Sequence, residues 1–377
     1  MAKNRQLFID NLRTVMIVLV ILVHLSVTYG SEGSWFYKER PVDMLTMTAL
    51  SFFNAVTQSY FMGFLFFLAA YFTPGSYDRK GPRQFLRDRL LRLGVPLLVY
   101  EFVIHPLQVY PLIKAGALDI DGSFGEMLGR YYSSFHIGSG PLWFVETLLI
   151  FSFVYAGYRL LRNDPPTSER RDPPGNFAMV TLAACVGLAT FLVRVRLPIS
   201  WSLQPLNLQL PFFLQYLCMF PLGIMASRND WLARLPRTTG RLWLALAAVL
   251  IVVVFPLLFT LGGALEGDVG KFLGGLHWQA FAYAMWEQLL GVAMIVGLAV
   301  LFRERLNRQG PLAREAAAGS YTVYLIHTPI VILFTLAVRD VRLYPLLKFA
   351  LAALIVVPLC FALAAALRRL PLARRIL

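Results

Sequence analysis

FIDNLRTVMIVLVILVHLSVTY, residues 8–29, is an apolar run that carries Arg13 near its start and His24 deep in its second half. A helix of about 20 residues is long enough to cross the hydrocarbon core of a bilayer. The run therefore predicts a first transmembrane helix. A secretory signal peptide is disfavoured because the run is long, no clear Ala-x-Ala-like site follows it, and many more apolar segments come after it.

The two ionisable residues of this helix share one of its faces. They are eleven residues apart, which at about 100° per residue is about three turns, so the side chains lie about 16 Å apart along the axis. An ionisable side chain inside a membrane is costly and marks a candidate functional site. The alternative is an Arg that reaches the water boundary and a His that ties two helices together.

Composition indicates a polytopic helical membrane protein. Of 377 residues, 58% are hydrophobic and only 15% are charged, which is too apolar for a soluble domain. The formal net charge of +14 then indicates cytoplasmic loops, anionic lipids or phosphorylated ligands, and not nucleic-acid binding. The three cysteines fall in apolar spans, which predicts buried thiols and neither a disulfide framework nor a metal site.

Hydropathy predicts an all-α fold with about ten transmembrane helices in a single domain over residues 1–377. The predicted spans are 9–30, 48–73, 90–112, 141–162, 177–195, 209–227, 241–261, 278–302, 320–338 and 345–367. Every strongly basic segment falls on one side of this arrangement. Because Lys and Arg collect in cytoplasmic loops, both termini are predicted to be cytoplasmic. The mild exceptions on the outer side are Arg194, Arg196, Arg339 and Arg342.

Two further spans bring ionisable residues to the depth of His24. In SGPLWFVETLL, Glu146 lies about six residues from the outer face, as His24 does, which is roughly 9 Å below that surface. A carboxylate beside an imidazole can orient its tautomer and raise its basicity. In SYTVYLIHTPI, Tyr324 and His327 are three apart and share a helix face. These residues either line one cavity or serve as separate structural hydrogen-bonding groups.

A dense run of arginines marks the cytoplasmic entry of the third span. The segment GPRQFLRDRLLRLGVP, residues 81–96, contains Arg87, Arg89 and Arg92. Guanidinium groups bind phosphate oxygens in forked pairs, and the start of a helix adds a favourable dipole. The segment therefore predicts either a site for a phosphorylated ligand or contacts with lipid headgroups.

Five segments together resemble the acyltransferase 3 family of membrane proteins. They are FIDNLRTVMIVLVILVHL with its Arg, ten residues, His pattern, GFLFFLAAYFTP, RQFLRDRLLRLGVPLL, GPLWFVETLL and YTVYLIHTP, in the family's order and over the length of the chain. The chain is most similar to the glucan-modifying branch, of the glucan biosynthesis protein C type, which has no appended extracellular domain.

The resemblance implies a multi-pass O-acyltransferase of the bacterial inner membrane. It implies transfer of an acyl group, usually acetyl, from a cytoplasmic acyl-CoA to a hydroxyl of a carbohydrate or other envelope acceptor at the outer side, with no metal. On this interpretation His24 is a general base or a transient acyl carrier, and Glu146 orients it. The residues assigned to the donor are Arg13, Arg87, Arg89 and Arg92, and those assigned to the acceptor are Asp10, Trp143, Tyr324 and His327.

Two other classes of protein are considered. A transporter or flippase would use intramembrane ionisable residues as a proton relay, and the candidates are Glu101, His105, Glu287 and His24. A membrane scaffold without catalytic activity is the third class, and the density of buried ionisable residues argues against it. Stabilisation by CoA would favour the acyltransferase, and ion-dependent flux without CoA would favour the transporter.

Overall fold

The computed structural model describes residues 6–117, 123–133, 139–162, 170–204, 206–371 and 373–376. These residues are 80% helical and contain no β-strand. The helices are α1 (Leu7–Tyr29), α2 (Met44–Gln58), α3 (Phe61–Arg89), α4 (Val95–Val99), α5 (His105–Lys114), α6 (Phe124–Ser133), α7 (Trp143–Leu161), α8 (Asn176–Arg196), α9 (Leu210–Asn229), α10 (Trp231–Arg234), α11 (Arg237–Val249), α12 (Phe255–Leu261), α13 (Gly270–Leu273), α14 (Trp278–Arg305), α15 (Pro311–Ala337), α16 (Pro345–Leu367) and α17 (Ala373–Ile376). The predicted all-α class is confirmed.

Nine helical segments within the described ranges are long and apolar enough to cross a membrane. One of them, Met44–Lys114, has 71 residues, which would be about 107 Å long as one straight helix and is too long for one crossing. This segment includes two of the predicted spans, 48–73 and 90–112. The nine segments therefore accommodate the ten predicted crossings, provided that the chain reverses within the long one.

The reversal occurs at Gly81, in the middle of α3. Its φ of 70° and ψ of 170° are not helical, and this φ lies where a side chain is strained and glycine is not. The ring centroids of Tyr77 and Phe85 are 5.4 Å apart, and Lys80 forms an ion pair with Asp88. Eight residues of straight helix would separate such pairs by about 12 Å. The two halves of α3 therefore lie side by side.

Helices α1 and α15 pack together and run in the same direction. Arg13 donates a hydrogen bond to the carbonyl oxygen of Ala317 at 3.1 Å, and further along both helices His24 stacks on His327. In a chain that crosses the membrane ten times, the first and ninth spans run in the same direction, as α1 and α15 do. The side of the membrane that the termini face stays a prediction. We call the end of the bundle where α1 begins the basic end, and the end where α1 finishes the far end.

Glycines allow the central helices to approach closely. A Cβ atom on Gly223 of α9 would lie 2.3 Å from the carbonyl oxygen of Phe67 in α3. One on Gly291 of α14 would lie 2.5 Å from the carbonyl oxygen of Ser59, just before α3. Small residues at such crossings let helix backbones come into contact, as is common in membrane bundles. Any larger residue at these positions would push the central helices apart.

Candidate functional site

His24 lies between two aromatic rings toward the far end of α1. Its imidazole stacks on the indole of Trp35, with 3.9 Å between ring centroids and 16° between ring planes. Its other stacking neighbour is the imidazole of His327, at 5.2 Å and 12°. Neither ring nitrogen of His24 has a hydrogen-bond partner among the described residues. The ring is therefore held by its faces, and its nitrogens face no protein hydrogen-bonding group in that part of the chain.

Trp35 reaches His24 because the loop after α1 folds back onto the helix. The backbone N–H of Glu39 donates to the carbonyl oxygen of Thr28 at 2.8 Å, which ties the middle of the loop to the last turn of α1. The indole Nε1 of Trp35 is buried and has no hydrogen-bond partner among the residues with described positions. A hydrogen-bond donor thus lies beside the imidazole of His24.

His327 is fixed by its own helix. Its Nδ1 lies 2.6 Å from the carbonyl oxygen of Tyr324, one turn earlier in α15, and its Nε2 lies 3.5 Å from the hydroxyl of Thr328. Because a carbonyl oxygen only accepts, Nδ1 carries the proton, and in the neutral ring Nε2 is then the acceptor. This tautomer keeps the ring of His327 in place under the ring of His24.

Tyr324 joins α15 to the start of α7. Its hydroxyl donates to the carbonyl oxygen of Pro141, and its ring centroid lies 5.5 Å from that of Phe144. Its ring also lies 5.6 Å from that of His327. The structure therefore brings Tyr324, His327 and His24 together, as their predicted shared cavity requires.

Trp143 and Glu146, also on α7, make no described contact with His24. Trp143 stacks on Tyr216, with 5.5 Å between centroids and 28° between planes. Glu146 is two residues from Phe144, about 200° around the helix, and its Oε2 is buried with no hydrogen-bond partner among the described residues. Within the same part of the chain no hydrogen bond or ion pair joins Glu146 to His24. His327 is thus the ionisable residue that contacts His24, and the orienting role of Glu146 stays a prediction.

A pocket of about 510 Å³ at the basic end collects most of the residues assigned to the donor. Its charged lining residues are Asp10, Arg13, Arg79, Lys80, Asp88, Arg89 and Arg92. Five cations therefore face two carboxylates, which leaves a net charge of +3. Arg87 is exposed and does not line this pocket, whereas Arg79 and Lys80, which were not assigned to the site from the sequence, do.

Helix α1 contributes an ion pair to this pocket. Arg13 Nη2 lies 3.0 Å from the Oδ1 of Asp10, which is only 6% exposed. The hydroxyl of Tyr321 donates to the carbonyl oxygen of Arg92 and so attaches α15 to the entry of the third crossing. Asp10 thus lines the pocket that contains the residues assigned to the donor, about 20 Å from His24 along the helix, whereas the sequence assigned it to the acceptor.

Glu287, one of the candidates for the proton relay of a transporter, forms a buried ion pair with Arg194. Glu287 lies 2.7 Å from Arg194, and the side chains are 1% and 0% exposed. The Nε of Arg194 also donates to the carbonyl oxygen of Pro211 at 3.2 Å, and its guanidinium carbon lies 4.9 Å from the ring centre of Phe212. The ion pair joins α8 to α14, and the hydrogen bond to Pro211 joins α8 to α9.

The described residues form a polytopic helical bundle with a stacked pair of imidazoles inside it and a basic pocket at one end, an arrangement that suits a membrane enzyme. The described residues contain no group of three or more His, Cys, Asp or Glu that could hold a metal ion. Residues 6–365 match the model of the acyltransferase 3 family, described as an acyltransferase domain. The chain therefore belongs to this family and is an acyltransferase, as the five sequence segments predict.

Its curated relatives include glucans biosynthesis protein C of Escherichia coli O157:H7 and of Escherichia coli strain SMS-3-5. The chain is 24% identical to each over 341 residues, which cover 88% of this chain and 83% of the relative. The predicted similarity to that branch is confirmed. No solved structure matches the chain.

Proposed function

We propose that the protein is an O-acyltransferase of the bacterial inner membrane. It takes an acyl group, acetyl on the family pattern, from a cytoplasmic acyl-CoA and transfers it to a hydroxyl of a carbohydrate or other envelope acceptor at the outer side. The observation that carries the proposal is helix α1, which joins a net positive pocket at Arg13 to the stacked imidazole of His24. About 16 Å of helix separates the two.

The basic-end pocket suits the phosphates of CoA. Arg89 and Arg92 contribute guanidinium groups one turn apart, and Arg13 adds a third from α1. The acyl-pantetheine arm of CoA is an extended thread whose length is of the same order as the distance to His24. Donor phosphates at the basic end would then place the thioester carbonyl near the imidazole.

Two chemical routes fit His24. In direct transfer, a ring nitrogen takes the proton of the acceptor hydroxyl while its oxygen attacks the thioester carbonyl. The carbon–sulfur bond breaks, and CoA leaves as a thiolate that takes up a proton. In the covalent route, the ring nitrogen attacks the carbonyl first, CoA leaves, and the acceptor hydroxyl then displaces the imidazole. Both routes end with the ester, free CoA and an unchanged histidine.

The neighbouring residues receive supporting roles in this proposal. His327 and Tyr324 hold the imidazole and line the acceptor cavity, because they are the residues that contact it or one another. Asp10 fixes Arg13 at the donor pocket. Trp143, whose ring stacks on Tyr216, keeps its assignment to the acceptor. Glu146, whose Oε2 has no hydrogen-bond partner among the described residues, keeps its assignment as the residue that orients His24.

The experiment is transfer of radiolabel from acetyl-CoA to envelope polymers in membrane vesicles with and without the protein. Inside-out vesicles present the basic end to added acetyl-CoA if that end is cytoplasmic, so label should depend on the protein in them and be absent from sealed right-side-out vesicles. Label of equal strength in both orientations, or label that does not require the protein, would contradict the proposal.

A further inference from the structure

A second basic pocket lies at the far end, at the opposite end of the bundle from the donor pocket. Its volume is about 490 Å³, and its charged lining residues are Glu39, Arg40, Arg339, Arg342 and Lys348. Four cations and one carboxylate leave a net charge of +3. The pocket is formed by the loop after α1, the turn between α15 and α16, and the first turn of α16.

The sequence pattern does not account for this charge. Arg339 and Arg342 are two of the exceptions to the segregation of basic residues on the side of the termini, and the structure brings both to one pocket. Cations on the outer side work against the charge rule that sets the orientation of membrane proteins. Their convergence on one cavity therefore points to a local role.

Neighbouring groups neutralise only part of the positive charge. Glu39 is bound by Lys348, whose Nζ lies 2.8 and 2.9 Å from its two carboxylate oxygens. Arg40 donates to the carbonyl oxygens of Gly30 and Ser31 at 2.9 and 3.1 Å, and its guanidinium lies 3.5 Å from the carboxylate of Glu32, which does not line the pocket. The remaining two guanidinium groups face the pocket with little compensation.

Arg339 and Arg342 are those two groups. Arg339 donates to the carbonyl oxygen of Ala115 at 3.0 Å and approaches Asp340, which is 93% exposed, at 3.6 Å. Arg342 is exposed, and the described residues offer it no ion pair or hydrogen bond. Both can therefore turn toward an anion in the pocket.

Tyr29 supplies an independent sign of a ligand. Its side chain lines the pocket and is 0% exposed, and its hydroxyl has no hydrogen-bond partner among the residues that the structure describes. A buried hydroxyl without a partner costs about 1–3 kcal/mol of desolvation free energy. A ligand oxygen that accepts from this hydroxyl would remove that cost.

We propose that the far-end pocket is a binding site for an oxyanion, a phosphate or carboxylate group, held by Arg339, Arg342 and the hydroxyl of Tyr29. The group belongs either to a soluble molecule at the outer side, such as an anionic acceptor, or to the headgroup of an anionic lipid. The loop that carries Glu39 and Arg40 also carries Trp35, so a bound anion would hold the same loop that stacks on His24.

The test uses the full chain in nanodiscs of phosphatidylcholine, with inorganic phosphate as the probe. We expect the double variant Arg339→Gln/Arg342→Gln to weaken the far-end component of phosphate binding by about tenfold or more, because charge-assisted hydrogen bonds are lost. Arg196→Gln is the matched control, since Arg196 is an exposed arginine at the end of α8 that does not line the pocket. Phosphate bound at the basic end contributes equally to all of these proteins.

Tyr29→Phe is the sharper variant because it keeps the ring and removes only the hydroxyl. Without phosphate we expect thermal stability that is equal to the wild type or higher, because an unpartnered buried hydroxyl is removed. Phosphate binding should be weakened about two- to tenfold, the range of one neutral hydrogen bond. Equal phosphate affinity in the wild type, the arginine double variant and the Tyr29 variant would overturn the proposal, as would no difference between the double variant and Arg196→Gln.

A second set of nanodiscs, containing phosphatidylglycerol, distinguishes the two sources. If a lipid headgroup fills the pocket, phosphatidylglycerol will abolish the component of phosphate binding that depends on Arg339 and Arg342. If the pocket serves a soluble group, that component will persist. Either result supports an oxyanion site. If the oxyanion site is disproved, the proposals for the donor pocket and for His24 still stand, because they are tested separately by CoA binding and acyl transfer.

Discussion

The two basic pockets of this protein have nearly the same size, about 510 and 490 Å³, and the same net charge of +3. At the basic end, the insertion rule alone explains an excess of Lys and Arg, so the charge by itself is weak support for a ligand. The stronger support there is that Arg13 and His24 lie on one helix. If the basic end is cytoplasmic, as the sequence predicts, the same insertion rule disfavours cations at the far end. Equal charge therefore argues more strongly for a ligand at the far end, although the sequence points first to the basic end.

The pockets also differ in how they connect to His24. The basic-end pocket is connected to His24 by helix α1, along which Arg13 and His24 are about 16 Å apart. The far-end pocket shares a loop with Trp35, whose indole lies directly on the imidazole. Changes at the basic end should therefore alter donor affinity, whereas changes near the loop should alter the rate of transfer.

The largest effect is expected at the residue between the two pockets. His24→Ala should reduce acyl transfer by about 10²- to 10⁴-fold, because a general base of that kind is lost. Affinity for CoA, measured by calorimetry, should not change, since the donor pocket is distant. His24→Gln should behave in the same way, because an amide can pack and form hydrogen bonds but cannot act as an imidazole base.

Near-native transfer by the Gln variant would remove His24 from the chemistry and shift the role to His327. If both variants are inactive and still bind CoA, mass spectrometry of the wild type mixed with acetyl-CoA alone separates the two routes. An acetylated His24 would establish the covalent one.

A smaller effect is expected at the basic end. The double variant Arg89→Gln/Arg92→Gln should weaken CoA binding by about 10- to 100-fold, because charge-assisted hydrogen bonds to phosphate are lost. Arg87→Gln is the matched control on the same helix, since Arg87 is exposed and does not line the pocket. An equal loss in the control would return Arg87 to the donor site, as the sequence predicts, and would weaken the assignment of this pocket.

The partner of His24 can be decided by comparing His327→Ala with Glu146→Gln. We expect His327→Ala to lower kcat by about tenfold to a hundredfold through misplacement of the imidazole, with KM for acyl-CoA unchanged. Glu146→Gln should have less effect, because no contact joins this carboxylate to His24 among the described residues. The opposite order of effects would favour Glu146 as the orienting residue.

The smallest effect is expected at Trp35. Trp35→Ala removes a stacking contact of about 0.5–1.5 kcal/mol and should slow transfer about two- to tenfold. Trp35→Phe keeps a ring and removes the indole N–H, so it should recover most of the rate if stacking is what matters. No recovery would indicate that the N–H itself contacts the reacting group. Transfer at the wild-type rate in the Ala variant would break the proposed link between the loop and His24.

Helical periodicity was sufficient to find several of these residues from the sequence. It placed Arg13 and His24 on one face of α1, and in the structure both face α15. It also placed Tyr324 and His327 together, because both belong to one helix. The clustered Arg89 and Arg92 were found for the same reason: residues close in sequence stay close in space.

Contacts between distant segments were harder to predict. Depth along a span says nothing about rotation around the helix axis, so the equal predicted depth of Glu146 and His24 did not give a contact. Trp35 was missed because a loop has no period, although the aromatic run SWFY at 34–37 was a visible signal. The ion pair of Arg194 with Glu287 depends on two helices being turned toward each other, which neither sequence segment specifies alone.

The parallel packing of α1 and α15 has a consequence for how the protein is made. Helix α1 is synthesised first and α15 almost last, so His24 enters the membrane long before His327 and Ala317 exist to contact its helix. Until then its imidazole must be sheltered by water, lipid headgroups or transient neighbours, at the cost that any polar group has in hydrocarbon. Assembly of the stacked pair is therefore one of the last events of biogenesis, and a chain that ends before Pro311 would carry His24 without its partner.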